Sequence, residues 1–160
     1  MIRSKVYKSI RDRLKEKMQA LVYVDLQKGQ LSKKQQNYPV PLPACLVELN
    51  SANWTNTTGG QLGEPKISLY LYLDLVTDSF DGSELENETI EILDAQDELY
   101  EIMQGFSGED FSPLSRTSDM IYEYGERYVC YRMDFQTTLF HDDEPPKMTG
   151  LPKPVLTVKN

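Results

Sequence analysis

His141-Asp142-Asp143-Glu144 is where the single histidine of this 160-residue chain meets a cluster of acids. A metal site needs ligands that converge from fixed elements. Four consecutive residues at the start of a tail cannot all converge, so the run reads as a solvated charge cluster. The acids between Asp78 and Glu84 lack the alternating ligand spacing of a calcium loop. The Gly-rich run Thr57-Thr58-Gly59-Gly60-Gln61-Leu62-Gly63 is not followed by a helical pattern, so it builds no phosphate cradle. No serine or cysteine stands in a nucleophile motif, which argues against triad chemistry. The expectation is a non-enzyme with no cofactor and no metal. Function then has to be sought in surfaces.

Charge is the feature of those surfaces that stands out. Residues 1–34 hold ten Lys/Arg against three acids, while residues 35–160 hold seven against twenty-two, for a net of −8. The basic end of one copy can therefore lie against the acidic body of another. The overall negative charge argues against general affinity for nucleic acid or membranes. No stretch approaches the roughly 20 apolar residues of a membrane span, and the first twenty residues carry no signal-peptide pattern.

Two helices carry the opposite charges. Ile2, Val6, Ile10, Leu14 and Met18 recur every four residues, predicting a helix over 3–20 whose stripe winds by about 40° per step. Its other face bears Lys8, Arg11 and Lys15, either as a solvated surface or as a docking face for an acidic partner. A second helix is expected over 87–104, capped by Ser83 or Asn87 and stopped by Gly105. Ile92, Ala95, Leu99, Ile102, Met103 and Phe106 form its apolar stripe; Glu91, Asp94 and Glu98 belong to its acidic face. These helices can pair within one subunit or between two.

Strands fill the rest. A short one is expected over 22–26, followed by a polar loop over 27–38. Pro39, Pro41 and Pro43 then hold the chain extended into a strand over 44–49. In the strand over 65–77, Ile67, Leu69, Leu71, Leu73 and Leu75 share one face, and Ser68, Tyr70, Tyr72 and Asp74 the other. Tyr70 and Tyr72 are expected to line a contact between subunits. Residues 50–64, which include the only tryptophan, Trp54, read as a long mobile loop and a candidate interface anchor. Residues 112–123 and 127–140 form a hairpin around Tyr124-Gly125-Glu126. Cys45 and Cys130 are read as small buried hydrophobes rather than a disulfide. The expected fold is α+β: a single domain over 1–140 with a mostly antiparallel sheet, two helices packed on it and a long hairpin loop. A Pro-rich, extended tail over 141–160 follows, with a β-prone run over 155–158 suited to a sheet edge.

This order of elements resembles the tail-terminator or tail-completion (head–tail joining) proteins of long-tailed bacteriophages. The likeness is carried by the helix over 2–21, the turn Val24-Asp25-Leu26-Gln27-Lys28-Gly29-Gln30 and the strand over 43–49. Gly63-Glu64-Pro65-Lys66-Ile67 opening the alternating strand, the helix over 90–105 and the closing hairpin complete it. It covers residues 1–140; the Pro-rich tail has no counterpart. The resemblance implies a small sheet with helices packed on it. It also implies a homo-oligomeric, hexameric ring that caps the tail tube and binds the head connector in the virion after assembly in the bacterial cytoplasm. The tail tube protein, the head connector protein and further copies of itself are the implied partners, and no catalytic residue carries over. Alternatives are a head-completion, neck or minor tail protein, and a small cytosolic ligand-binding module.

Overall fold

The computed structural model describes residues 1–31, 40–78 and 80–142. It contains helix α1 (Ile2–Lys17), strands β1 (Tyr23–Leu26), β2 (Ala44–Thr57) and β3 (Gly60–Asp74), helix α2 (Glu86–Met103), and strands β4 (Ser115–Tyr124), β5 (Tyr128–Gln136) and β6 (Leu139–Asp142). The strands form one sheet in the order β1-β2-β3-β5-β4, with β6 paired to the start of β3. Among the described strands only the β1–β2 pair is parallel. The fold is α+β, a single domain with a mostly antiparallel sheet and two helices.

Both helices lie on one face of the sheet. Val6, Ile10 and Leu14 of α1 are buried against the odd-numbered residues of β3, from Ile67 to Leu73, and against Val129, Met133 and Phe135 of β5. The four-residue spacing in α1 and the two-residue alternation in β3 thus meet in one core, as the periods of helix and strand require. At the end of α2, Gln104 turns extended and Gly105 takes a φ of 76°. That left-handed conformation suits glycine.

The expected caps of α2 are not used. Leu85 stands at the N-cap position without a side-chain hydrogen bond. The Glu86 carboxylate instead accepts from the Gly82 N–H at 3.1 Å, and Ser83 Oγ is buried with no partner among the described residues.

The expected loop over 50–64 is a correction. β2 and β3 continue through it, joined by the two residues Thr58-Gly59, with Thr57 opposite Gly60 and Trp54 opposite Gly63. A bulge between Leu49 and Ala52 marks where the ribbon leaves the main sheet. The closing strand expected to run to 140 is likewise two strands. β5 pairs with β3 from Lys66 onward, and β6 pairs with β3 at Gly60–Gly63. The ribbon is therefore three-stranded, and β6 runs two residues past the expected start of the tail.

Candidate functional site

The helix-free face of the sheet divides into two parts. At one end Tyr70, Tyr72, Ala44, Leu46 and Cys130 form a second buried cluster, covered by Tyr23, Leu31, Val40, Leu42 and Tyr128. Gln27 donates to the Tyr72 hydroxyl at 3.1 Å and Tyr128 donates to the Leu31 carbonyl at 3.2 Å. Residues 27–31 and 40–42 fold back over this end, so Tyr70 and Tyr72 are inside the chain's own fold. Their expected role as interface residues is corrected: the polar-looking face of β3 is also buried. Burial pushes both phenols up, and the hydrogen bond from Tyr70 to Glu48 (2.6 Å) pushes Tyr70 further.

At the other end lies a buried ionic cluster centred on Asp134, which is 1% exposed. Its Oδ1 accepts from Ser68 Oγ at 2.6 Å and Arg132 Nε at 2.8 Å. Its Oδ2 accepts from Ser118 Oγ at 2.9 Å and pairs with Lys66 Nζ at 2.7 Å. Burial alone would raise this carboxyl, but the donors from Lys66, Ser68, Arg132 and Ser118 outweigh it and hold it down at about 2. Asn50 donates to Ser68 Oγ at 3.0 Å. Arg132 lies by the Tyr70 and Tyr122 rings, 5.6 and 6.0 Å from their centroids. Each carboxylate oxygen thus has two donors, and the group ties β3, β5 and β4 together.

The thiols offer no nucleophile. Cys45 and Cys130 are buried and unbridged, and burial pushes both up to about 12. Cys45 faces the helices and Cys130 the opposite side. Among the described residues no three His, Cys, Asp or Glu side chains gather into a metal-holding group. His141 and Asp142 are neighbours on the exposed strand β6, while Asp143 and Glu144 lie outside the described residues.

Apolar and charged surfaces remain. On the ribbon, the Trp54 indole lies over Gly63, its ring atoms 2.8 Å from where a β-carbon would be, with His141 at its edge, 6.3 Å between centroids. Trp54 is 38% exposed; Leu62 and Phe140, cross-strand neighbours on the other side of the ribbon, are exposed as well. The edge strand β4 exposes Met120, Ile121, Tyr122 and Tyr124.

The helices hold the remaining candidates. Lys8 and Lys15 are exposed; Arg11 is half-buried and paired with Asp12 at 2.7 Å. Glu91, Asp94 and Glu98 are exposed on α2. Among the described residues no ion pair joins α1 to α2. They meet instead through Arg13, which donates to the Ile102 carbonyl at 3.2 Å and lies over Phe106. The charges of the two helices are thus not matched against each other among the described residues.

Two features escaped the sequence reading. Only the C-terminal half of α2 is buried, through Leu99 and Met103. Its first half leaves Ile90 and Leu93 49% and 56% exposed, beside exposed Phe80 and Leu85. Ile90 and Leu93 fall off the helical stripe that faces the core, which is the one signal that could have marked them. The second feature is a groove of about 460 Å³ between α1 and the β1–β2 edge, lined by Arg3, Ser4, Tyr7, Leu26, Gln27, Lys28, Val47, Glu48 and Leu49. It forms where β1 stops while β2 continues, so no sequence period announces it.

No protein-family model and no curated protein matches the sequence. One solved structure, of a protein whose name states no function, is 15% identical over 89% of this chain and 96% of its own, with a TM-score of 0.42. A likeness that low carries no argument about function. No described helix is long and apolar enough to cross a membrane.

Proposed function

We propose that this protein is a non-enzymatic virion component that caps or completes the tail of a long-tailed phage or prophage at the head–tail junction, working as a ring of identical subunits. The observation that carries the reading is the projecting three-stranded ribbon, with Trp54 on one side and Leu62 and Phe140 on the other. A ribbon standing off the core has little to bury its own side chains against, so exposed aromatic and aliphatic groups there suit a partner. The resemblance in element order over residues 1–140 supports the same reading. So do the opposite charges of two helices that form no ion pair with each other among the described residues, which favour contacts between unlike patches, the kind that closes rings.

In this reading the ribbon touches the tail tube or the head connector, and no nucleic acid or membrane takes part. Deleting the gene from a phage or inducible prophage tests it. Tails of abnormal length, or tails that fail to join heads, are expected in electron micrographs of the lysate. Normal particles at normal titre in the deletion strain refute the reading.

A further inference from the structure

We infer that the acidic first half of α2 on one subunit docks into the α1 groove of a second copy, head to tail. This names the pair of surfaces that would close the ring and so rests on the ring reading above.

The groove side of α1 can be assigned from helix geometry. Val6, Ile10 and Leu14 face the core. Ser4, Tyr7, Lys8, Arg11 and Lys15, spaced by three and four residues, fall together on one flank. Arg3, Ser4 and Tyr7 line the groove, and Lys8, Arg11 and Lys15 lie farther round that side of α1, beyond its lining. The floor is apolar, from Leu26, Val47 and Leu49, and Lys28 stands on the far rim. Arg11 and Lys28 already have partners in Asp12 and Asp25. Lys8 and Lys15 have no ion pair among the described residues. The groove is thus an apolar trough whose lining carries Arg3 and Lys28 against Glu48, with the basic side of α1 next to it.

The complementary surface is a ridge of α2. Ile90 is followed at helical spacing by Asp94, Asp97 and Glu101, and Leu93 by Asp97. All are exposed. Apolar side chains of a size to enter the trough therefore stand among carboxylates able to meet the basic side of α1 next to it. Burying Ile90 and Leu93 stabilises the contact, and the charges set its register.

The two surfaces cannot mate within one subunit. On its other flank α1 meets the last turn of α2 and the region after it, through Arg13 to Ile102 and Lys5 to Asp110 at 3.3 Å. α2 itself sits over the β4 side of the sheet, where the Arg116 guanidinium lies 3.9 Å from the Tyr100 ring centroid. Groove and ridge thus belong to opposite sheet edges, β1 and β4, roughly 20 Å apart at about 4.8 Å per strand. A donor on one edge and an acceptor on the other is a heterologous contact, which closes into a ring when the rotation allows.

The test uses charge reversal on folded, full-length protein. Lys8→Glu with Arg11→Glu and Lys15→Glu reverses the basic side of α1; Asp94→Lys with Asp97→Lys and Glu101→Lys reverses the ridge. Each set alone is expected to weaken self-association about a hundredfold, read by analytical ultracentrifugation and negative-stain microscopy. Both sets in one chain are expected to restore it. Ile90→Ser with Leu93→Ser is expected to weaken association while leaving the melting temperature within a degree or two. Reversal sets that assemble like the wild type, or a combined chain that folds but does not recover, overturn this pairing and leave the ring reading standing. A wild type that stays monomeric even when mixed with tail tubes overturns both.

Discussion

Replacing Asp134 by asparagine removes the charge at the centre of the buried ionic cluster while keeping its shape. The carboxylate is 1% exposed and holds four donors at 2.6–2.9 Å. Its pKa in the fold, about 2, lies below the ordinary 3.8. That difference corresponds to about 2 kcal/mol of stability at neutral pH. Removing one member of a buried ion pair costs roughly 3–5 kcal/mol when the other charge stays trapped. Here the Lys66 side chain is 47% exposed and can turn to water, while Arg132, 22% exposed, stays beside the site, so the expected loss is about 2–3 kcal/mol. The sign follows from the depressed pKa. The stabilisation is fully present above pH 3.8, and it is lost as pH falls through about 2. Urea unfolding of both proteins from pH 7 to pH 2 measures this. At pH 7 the midpoint of the variant should lie about 1–1.5 M lower, for a slope of roughly 2 kcal/mol/M. The gap should narrow below pH 4. A gap that stays constant down to pH 2, or none at pH 7, refutes the assignment of the cluster as an electrostatic tie.

Gly63→Val drives a side chain into the space of the Trp54 ring, which lies 2.8 Å from the β-carbon position. The indole must leave, so the emission of this single tryptophan should shift to the red; unchanged emission contradicts the stacking. Residues 52–57 lie in a ladder with β3, so their amides should exchange more slowly than those of an unstructured loop in hydrogen-exchange mass spectrometry, even in the free subunit. Exchange at the unprotected rate would refute the ribbon. Ile10→Ala opens a cavity beneath α1, where Ile10 is fully buried, and should cost about 2–5 kcal/mol in chemical denaturation. Cys45 and Cys130 should resist a thiol reagent at pH 8 in the native protein and both react in denaturant, since burial pushes each to about 12.

The sequence was legible where one face of an element meets a core. The four-residue stripe of α1 and the alternation of β3 each placed their buried residues correctly; of the α2 stripe, Leu99 and Met103 are buried and Ile92, Ala95 and Ile102 half-buried against the core. It misled where burial does not follow that rule. Tyr70 and Tyr72 alternate with leucines, and alternation says only that they face away from the helices. It cannot say that residues 27–31 and 40–42 fold back to cover them. The ribbon failed for the opposite reason: with no core beneath Ser51–Leu62 there is no apolar period, and strands without a buried face look like a loop. The basic and acidic helices were found from composition alone. That they stand on different edges, and that Ile90 and Leu93 lie bare among the acids, needed the sheet order.

β3 runs without interruption from the tip of the ribbon to the middle of the domain, 15 residues that extend roughly 50 Å at about 3.3 Å each. Along most of that length it is bonded on both sides, by β2 and by β5 or β6. Antiparallel bonds lie across the strand direction, so tension applied at the tip along the strand loads many of them in shear together rather than peeling them one by one. The Asp134 cluster clamps the same strand where the ribbon joins the sheet. The ribbon is therefore a mechanically stiff handle: a pull at its tip passes the load into the centre of the domain rather than unravelling its edge.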